Sequence, residues 1–252
     1  MIVYKKKFVR IAECWSDEEP LVRGVDLVRL YQQSQPMQGM VCRDFYTVMI
    51  DLRRDLEDLL RAMKRDTRYD IRRASTSDEL LQEIFRAPEQ PIVDEFSEYY
   101  DRFASQKGLP RLNRVWLSLL SEGSAVTLSR VNEANGGVLV WHAYHCTNRR
   151  ATLLYSASLF RSLNSSARRN RVARANRFQH WEDIKAFKKA GVSIYDLGGW
   201  YAGHTDSDRL NINRFKEEFG GQIVKTYICE RAITVKAKAF LRMRQLLLGN
   251  AI

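Results

Sequence analysis

Side chains that could bind a substrate or move a proton are concentrated between Ser193 and Thr226. A predicted strand in this stretch ends at one glycine pair, and a predicted helix at 211–219 ends at another. Such pairs allow positive φ or close backbone approach where elements end. The chemically useful side chains are Asp196, Trp200, Tyr201, His204, Phe215 and Lys216. Turn chemistry alone explains this spacing, with Asp196 holding the glycine turn. The loop residues Tyr201 and His204 could also take a proton or cover a cleft.

A second candidate site is a run of arginines at the predicted start of a long helix. Six arginines fall between Arg161 and Arg177 with no acid among them. Free backbone N–H groups, a helix dipole and clustered cations together make a good phosphate site. The residues predicted to bind a phosphate are Asn164, Ser165, Ser166, Arg168, Arg169 and Arg171.

A third basic surface lies on a predicted helix from Asp55 to Ala74. Apolar residues recur on one face of this helix. The opposite face carries Arg61, Lys64, Arg65, Arg68, Arg72 and Arg73. A solvated basic face explains most of these cations, whereas one or two of them could meet a phosphate.

Metal sites and several enzyme classes find no support in the sequence. His142 and His145 fall on opposite faces of a predicted strand, so they cannot share a metal and are predicted to be structural. The four cysteines form no CxxC pair and indicate neither a zinc site nor a disulfide framework, which makes a reducing cytoplasm the simplest location. No Ser-His-Asp order, HExxH, Walker loop or dinucleotide fingerprint supports a hydrolase, metalloprotease, NTPase or dehydrogenase.

The elements that must position these residues are those of a globular α+β protein. The chain has 252 residues, 45% hydrophobic and 28% charged, and its net charge of +11 would attract nucleic acid, nucleotide pyrophosphates or anionic lipid headgroups. No apolar run is long enough to span a bilayer, so membrane contact would be peripheral. The spacing predicts a helix from Pro20 with Val25, Val28 and Tyr31 on one face. The other predicted elements are strands at 45–52, 125–131, 137–146, 151–158, 193–197 and 222–229, helices at 91–108 and 113–122, and a basic amphipathic helix at 234–249.

Two sequence patterns together resemble the FemABX aminoacyl transferases, the peptidoglycan bridge-forming branch of the GNAT superfamily. One is YDLGG at 195–199 followed by FKEEFGG at 215–221. The other is MKRDTRYDIRRA at 63–74, and the two patterns with the segment between them cover roughly 63–227. The resemblance implies a GNAT-like fold with a central mixed, mostly antiparallel sheet flanked by helices. It also implies a trimmed N-terminal half at 1–110 and a complete GNAT-like domain at 111–252.

The resemblance implies a role for several of these residues. Lys216 would stabilise developing negative charge or the donor's terminal phosphate, with Phe215 packing beside it, and its alternative is an exposed surface lysine. Tyr155 would face the substrate cleft, although Ser156 stands where the family has glycine. Asp196 would hold the glycine turn or orient an amine. The cleft would also include Arg111, Trp200, Tyr201 and His204.

The resemblance implies transfer of an acyl or aminoacyl group to an amino group of a cell-envelope precursor or amino sugar. The donor is acyl-CoA or aminoacyl-tRNA, with no tightly bound cofactor and no metal. A GNAT donor's pyrophosphate lies at the arginine-rich helix start, where this chain lacks the usual glycine loop. We expect a cytoplasmic protein, with the inner membrane face as a further location. The alternative hypothesis is a non-catalytic nucleic-acid-binding module that uses the helices at 161–177 and 63–74.

Overall fold

The computed structural model describes residues 1–15, 20, 23–134, 136–158 and 165–248. Asn164 of the predicted phosphate site and Arg161 of the arginine run lie outside the described residues. The chain divides into two compact units. Unit 1 comprises Met1–Thr47 and Val224–Ile252, and unit 2 comprises Val48–Ile223.

The chain begins with four consecutive strands, and single strands and helices alternate only from residue 150 onward. The strands are β1 (Ile2–Lys6), β2 (Val9–Cys14), β3 (Leu27–Gln33), β4 (Val41–Asp51), β5 (Leu81–Arg86), β6 (Val126–Asn132), β7 (Val138–Cys146), β8 (Arg150–Ser158), β9 (Ile194–Trp200) and β10 (Gln222–Ala232). The helices are α1 (Leu56–Ala62), α2 (Arg65–Thr76), α3 (Gln90–Lys107), α4 (Arg114–Glu122), α5 (Ser166–Lys189), α6 (Ser207–Glu217) and α7 (Val235–Leu248).

Unit 1 is built on the strand order β1-β2-β3-β10. β1 pairs antiparallel with β2, β2 pairs parallel with β3, and β3 pairs antiparallel with β10. Helix α7 packs on one face, where Ala237 and Phe240 join Val9, Ile11 and Leu27 in one apolar cluster. These residues recur at spacings of two on the strands and three on the helix, which is what burial of one face of each requires.

Unit 2 contains the strand order β9-β8-β7-β6-β5. The strands β6 to β8 form an antiparallel meander, and β5 pairs antiparallel with β6 although α3 and α4 separate the two in sequence. β9 pairs parallel with β8, with Thr152 opposite Asp196. Helix α3 lies on one face of β7, where the rings of Phe96 and Trp141 are 5.9 Å apart. Helix α5 lies on the other face, where the rings of Tyr144 and Phe187 are 5.0 Å apart. The predicted α+β class with a mixed, mostly antiparallel sheet is confirmed.

The prediction of a helix that begins near Pro20 is wrong, because Leu27–Gln33 forms the strand β3. Arg29 lies on this strand and donates to Glu13 of β2 at 2.6 Å and to Glu230 of β10 at 2.7 Å. Both acids are distant in sequence, so the ion pairs that favour a strand here are invisible to local spacing. The apolar residues at 25 and 28 mimic a helical repeat, although burial in the segment follows the alternation of a strand.

The structure of unit 2 differs from the sequence predictions at two further places. The helix predicted from Asp55 to Ala74 is two helices, because the backbone is extended at Met63 and Lys64 and the Lys64 N–H donates to the Glu218 carbonyl at 2.9 Å. The strand β5 was missed in the sequence. Its two charged residues, Glu83 and Arg86, are three positions apart and break the alternation typical of a half-buried strand, and the segment is ordered by antiparallel pairing with β6.

The expectation that the cysteines form no disulfide is wrong, because Cys42 of β4 is bonded to Cys229 of β10. These two residues are 187 positions apart in sequence, so no local spacing pattern announces the pair. Cys14 and Cys146 take no part in a disulfide. The disulfide lies within unit 1 and covalently ties two of its strands.

Candidate active site

Lys216 occupies a half-buried position on α6 beside the end of β9. Its Nζ donates to the carbonyl oxygen of Gly199 at 2.6 Å. The helix that carries it begins at a cap, since the Asp206 side chain accepts from the Arg209 N–H at 3.0 Å. Gly220, with φ of +73°, then turns the chain out of the helix region. The ammonium is therefore fixed by one strand-end carbonyl and by a helix with defined ends.

Burial lowers the pKa of Lys216 to about 8, and the nearby carboxylate of Asp196 opposes part of that shift. A lysine with this pKa is mostly protonated at neutral pH and loses its proton within a pH range in which proteins remain folded. The cation is consequently poorly hydrated and gains more than a surface lysine would from a developing negative charge.

The turn beside Lys216 depends on Asp196 and Gly198. The buried Asp196 carboxylate accepts from the Gly198 N–H at 2.8 Å, which is the contact expected of a residue that holds the glycine turn. Gly198 has φ of +75°, and a Cβ there would lie 2.8 Å from the Leu153 carbonyl oxygen and 3.9 Å from Lys216 Nζ. Only glycine therefore lets the end of β9 approach β8 and the lysine this closely.

Phe215 packs between α5 and α6. Its ring centroid lies 5.6 Å from that of His180 and 5.3 Å from that of Phe219. The Arg177 guanidinium lies 5.3 Å from the centre of the Phe215 ring, a distance typical of a cation–π contact. The aromatic residue of the FK pair thus anchors the helix that presents Lys216.

The last residue of β9 and the loop that follows it are held to α6 by polar contacts. Trp200 Nε1 donates to Glu217 at 2.8 Å. The Tyr201 N–H donates to the Asn213 side chain at 2.9 Å, and the same amide returns a bond to the Tyr201 carbonyl at 2.7 Å. His204 is exposed at the far part of the loop. The structure therefore brings Trp200 and Tyr201 to the Lys216 helix.

A buried chain of hydrogen bonds runs beneath the Phe215 ring. His180 Nδ1 lies 2.6 Å from the Tyr195 hydroxyl, which lies 2.8 Å from the Tyr144 hydroxyl. Tyr144 donates to Asp183 at 2.6 Å, and His142 Nδ1 lies 2.9 Å from the same carboxylate. The sequence argument missed this network, although polar residues on the inner face of α5 were a usable signal. His142 is structural, as predicted.

His180 gives the fold a defined pH dependence. Its pKa is held well below 6.5, chiefly by burial and further by His142, Lys216 and Arg177. Below that pH the unfolded chain binds a proton that the native protein does not, so the free energy of unfolding falls by up to about 1.4 kcal/mol per pH unit. We expect His180→Gln to flatten this slope in urea titrations at several pH values.

The matched control for this prediction is His204→Gln, because His204 is exposed. Its replacement should leave the acid slope of the unfolding free energy unchanged. An equal slope in wild type and in His180→Gln would show that protonation of His180 does not limit acid stability.

Tyr155 and Arg111 lie near α3 and α4. The Tyr155 ring packs 4.9 Å from the Tyr100 ring and 6.5 Å from the Trp116 ring. Arg111 is exposed in the turn between these helices. Arg114, its neighbour at the start of α4, pairs with Asp101 at 3.0 Å. These two predicted site residues are thus carried by elements other than those that hold Lys216.

The predicted phosphate site at the start of α5 is only partly exposed. Ser165, Ser166 and Arg168 are exposed there. Arg171 instead donates to the Asp78 carbonyl at 2.8 Å and lies 3.2 Å from Glu133. Arg169 is half-buried. Further along the helix, Arg174 pairs with Asp78, and Arg177 pairs with Glu218. Much of the arginine run is therefore engaged in holding α5 to its neighbours.

A groove with a volume of about 530 Å³ lies at the junction of α1 and α2, and we call it the arginine groove. Its lining residues are Glu57, Leu60, Arg61, Arg65, Arg68, Tyr69 and Arg72. The same helix α2 contacts the end of α6, because Thr67 Oγ1 donates to Glu218 at 3.2 Å. The predicted basic face of 63–74 thus forms a concave surface whose helix touches the Lys216 helix.

Among the described residues, no group of three or more His, Cys, Asp and Glu side chains could hold a metal ion. No helix among these residues is long and apolar enough to cross a bilayer.

Comparison with known proteins identifies solved structures with a similar fold. No protein-family model and no curated protein sequence matches the chain. The solved structure of FemX is 12% identical to this chain and superposes with a TM-score of 0.63. The aligned region covers 88% of this chain and 75% of the FemX chain. A second similar structure is the C-terminal domain (DUF2156) of a protein assigned as lysylphosphatidylglycerol synthetase from Agrobacterium fabrum, which is 15% identical and has a TM-score of 0.59. The aligned region covers 98% of this chain and 84% of that domain. L-PGS from Bacillus licheniformis is 11% identical and has a TM-score of 0.53, and the aligned region covers 86% of this chain and 72% of the L-PGS chain.

At these identities the likeness concerns the fold. The chain has a FemABX-like acyltransferase fold, which confirms the resemblance drawn from the two sequence patterns.

Proposed function

We propose that the chain is an acyltransferase or aminoacyltransferase that moves a group from an activated ester or thioester to an amine. The observation that carries this proposal is the half-buried ammonium of Lys216 beside the Asp196–Gly198 turn, in a chain with this fold. The amine nitrogen attacks the donor carbonyl carbon and forms a tetrahedral oxyanion. The C–O or C–S bond to the carrier then breaks, and the amine proton leaves with the departing group or through solvent.

The proposed task of Lys216 is to stabilise the oxyanion. Because the donor is already activated, positioning and electrostatics supply most of the rate, and one well-aimed donor is worth on the order of 3 kcal/mol. Asp196 keeps the turn in place, and Phe215 fixes the helix. We assign Trp200 and Tyr201 to the wall of the substrate cleft, since their contacts hold the loop to α6.

We propose binding roles for the other site residues predicted from the sequence. Tyr155, Arg111 and His204 would contact the acceptor, and Ser165, Ser166 and Arg168 would bind donor phosphate. The acceptor would be an amino group of a cell-envelope precursor or amino sugar, reached in the cytoplasm. The division into a trimmed half at 1–110 and a complete GNAT-like domain at 111–252 remains part of this proposal.

Between the two donor classes, aminoacyl-tRNA fits the basic surfaces better. An acyl-CoA donor would present its pyrophosphate to the start of α5, where Arg171 is engaged by Asp78 and Glu133. The arginine groove instead offers several cations along a helix surface, which suits the spaced phosphates of a nucleic acid. Tyr69, with 57% of its surface exposed, adds a ring on which a base could stack.

The test is a transfer assay with purified protein. Labelled aminoacyl-tRNA or acetyl-CoA is offered with an amine acceptor such as a muramyl peptide, and with phosphatidylglycerol because one structural neighbour carries that lipid in its name. We expect an amide product from aminoacyl-tRNA and the amine. In the variant Arg65→Glu/Arg68→Glu, we expect weaker donor binding and a shallower dependence of affinity on salt, with turnover at saturating donor retained.

The control variant is Lys185→Glu/Lys189→Glu, which reverses two charges near the end of α5 outside the arginine groove. It should bind the donor like wild type. Salt-sensitive binding of tRNA without transfer to any acceptor would instead indicate the alternative, a non-catalytic nucleic-acid-binding module. Transfer to phosphatidylglycerol and not to the amine would replace the proposed acceptor.

A further inference from the structure

The outward face of α7 in unit 1 is both apolar and basic. Val235, Met243 and Leu246 have 82%, 40% and 84% of their surfaces exposed. Lys238 and Arg242 are exposed on the same helix. No acid occurs anywhere between Val235 and Leu248. The helix therefore presents aliphatic side chains and cations together, without the carboxylates that usually balance a surface helix.

The inward face of the same helix is already used. Ala237 and Phe240 are buried against β2 and β3, and Arg244 pairs with Glu230 at 2.9 Å. Lys236 pairs with Asp26 at 2.9 Å. Residues 235, 239, 242 and 246 recur at helical spacing, so the exposed aliphatics do not belong to the packed face. The apolar residues on the outside thus contribute nothing to the core of unit 1.

The end of β1 and the turn into β2 lie beside this helix and likewise combine exposed cations with an exposed apolar side chain. Lys5, Lys6, Lys7 and Phe8 are exposed there. The Phe8 ring meets the Phe240 ring edge to face at 6.3 Å. A groove with a volume of about 440 Å³ has Lys5, Phe8, Arg10, Asp26 and Lys236 among its lining residues, so the turn lies beside the start of α7.

We propose that this surface, which comprises residues 5–8 and the outward face of α7, docks on an anionic lipid bilayer. Exposed aliphatic side chains on a basic helix enter the boundary between headgroups and acyl chains, while lysines and arginines contact lipid phosphates. Val235 and Leu246 would gain little from the sugar–phosphate backbone of a nucleic acid, which makes a lipid surface the better match. The surface lies in unit 1, apart in sequence from Lys216.

The test is flotation of the purified full chain with vesicles, without any donor. Vesicles of phosphatidylcholine alone are compared with vesicles that also contain phosphatidylglycerol or phosphatidylserine. We expect binding to both anionic mixtures, weak binding to phosphatidylcholine and release by salt. Binding to both anionic headgroups shows recognition of surface charge, whereas binding to phosphatidylglycerol alone would point to a substrate pocket and overturn the proposal.

Two variants locate the surface. Lys6→Glu/Lys7→Glu should weaken binding to anionic vesicles by about 25-fold or more, since each charge near the membrane contributes about fivefold. Val235→Ser/Leu246→Ser should weaken it with little change in salt dependence. The control Val115→Ser/Lys189→Glu alters an exposed aliphatic residue and a cation in unit 2 and should bind like wild type. Equal loss in the control, or binding to RNA and not to vesicles, would overturn the proposal.

Transfer activity is measured separately on soluble acceptors. A chain that transfers acyl groups but ignores anionic vesicles contradicts the membrane proposal alone. A chain that binds vesicles but transfers nothing contradicts the proposed function alone.

Discussion

Replacing Lys216 by alanine should lower turnover by about a hundredfold or more, while the free energy of unfolding should change by only about 1 kcal/mol. The activity falls because the oxyanion loses its cation, and one such donor is typically worth a factor of this size. Stability changes little because the half-buried ammonium gives up a single hydrogen bond, to the Gly199 carbonyl at 2.6 Å. Steady-state kinetics and urea unfolding on the same preparation measure both quantities.

The pH profile separates an oxyanion role from a structural one. Lys216 must be protonated to stabilise an anion, so turnover should fall as pH rises through about 8, the pKa that burial gives this residue. The stability contribution has the opposite sign. Because the folded pKa lies below the unfolded value of 10.5, the unfolded chain binds more protons between the two, and the free energy of unfolding rises with pH across that window.

Two variants complete the Lys216 experiment. Lys216→Arg keeps a charge at all accessible pH values and should lose the alkaline limb of the turnover profile, even if its turnover is lower. Lys189→Ala removes an exposed lysine of α5 and should leave turnover unchanged. Wild-type turnover in Lys216→Ala, or an alkaline limb retained in Lys216→Arg, would contradict the assigned role.

Local signals in the sequence were sufficient for much of unit 2. The glycine pair after α6 marks a helix end that the structure also has, because positive φ at Gly220 is a local property. The strand predicted to end before Gly198 instead continues through both glycines to Trp200, with positive φ at Gly198. The three meander strands and helices α3 and α4 were likewise predictable from alternation, helical spacing and turn residues. The same stretch contained Asp196 and Lys216, so the core of the candidate site could be predicted.

Features that depend on distant partners could not be predicted. The arginines of α5 read as a phosphate site, yet Arg171, Arg174 and Arg177 pair with acids that lie far away in sequence. The strand β3 read as a helix because its ion-pair partners lie on β2 and β10. The disulfide between Cys42 and Cys229 has the same origin, since residues separated by most of the chain share no spacing pattern.

Substitution of Gly198 by alanine should lower turnover by about a hundredfold and should destabilise the fold more than a positive φ alone explains. At φ of +75° an alanine is strained by about 1–2 kcal/mol. Its Cβ would also lie 2.8 Å from the Leu153 carbonyl oxygen, so the turn must move away from β8. The Gly199 carbonyl that holds Lys216 moves with it, and a displacement of about 1 Å is enough for a loss of this size.

Gly191 provides the matched control, because it has φ of +81° and open space where a Cβ would stand. Gly191→Ala should lose about 1–2 kcal/mol of unfolding free energy through backbone strain and should keep wild-type turnover. The comparison isolates the close approach at β9, since both variants have the strain and only Gly198→Ala has the clash. Equal turnover in the two variants would mean that the position of the β9 turn does not set the geometry of Lys216. If Gly198→Ala does not fold at all, the steric argument still requires that Gly191→Ala folds and remains active.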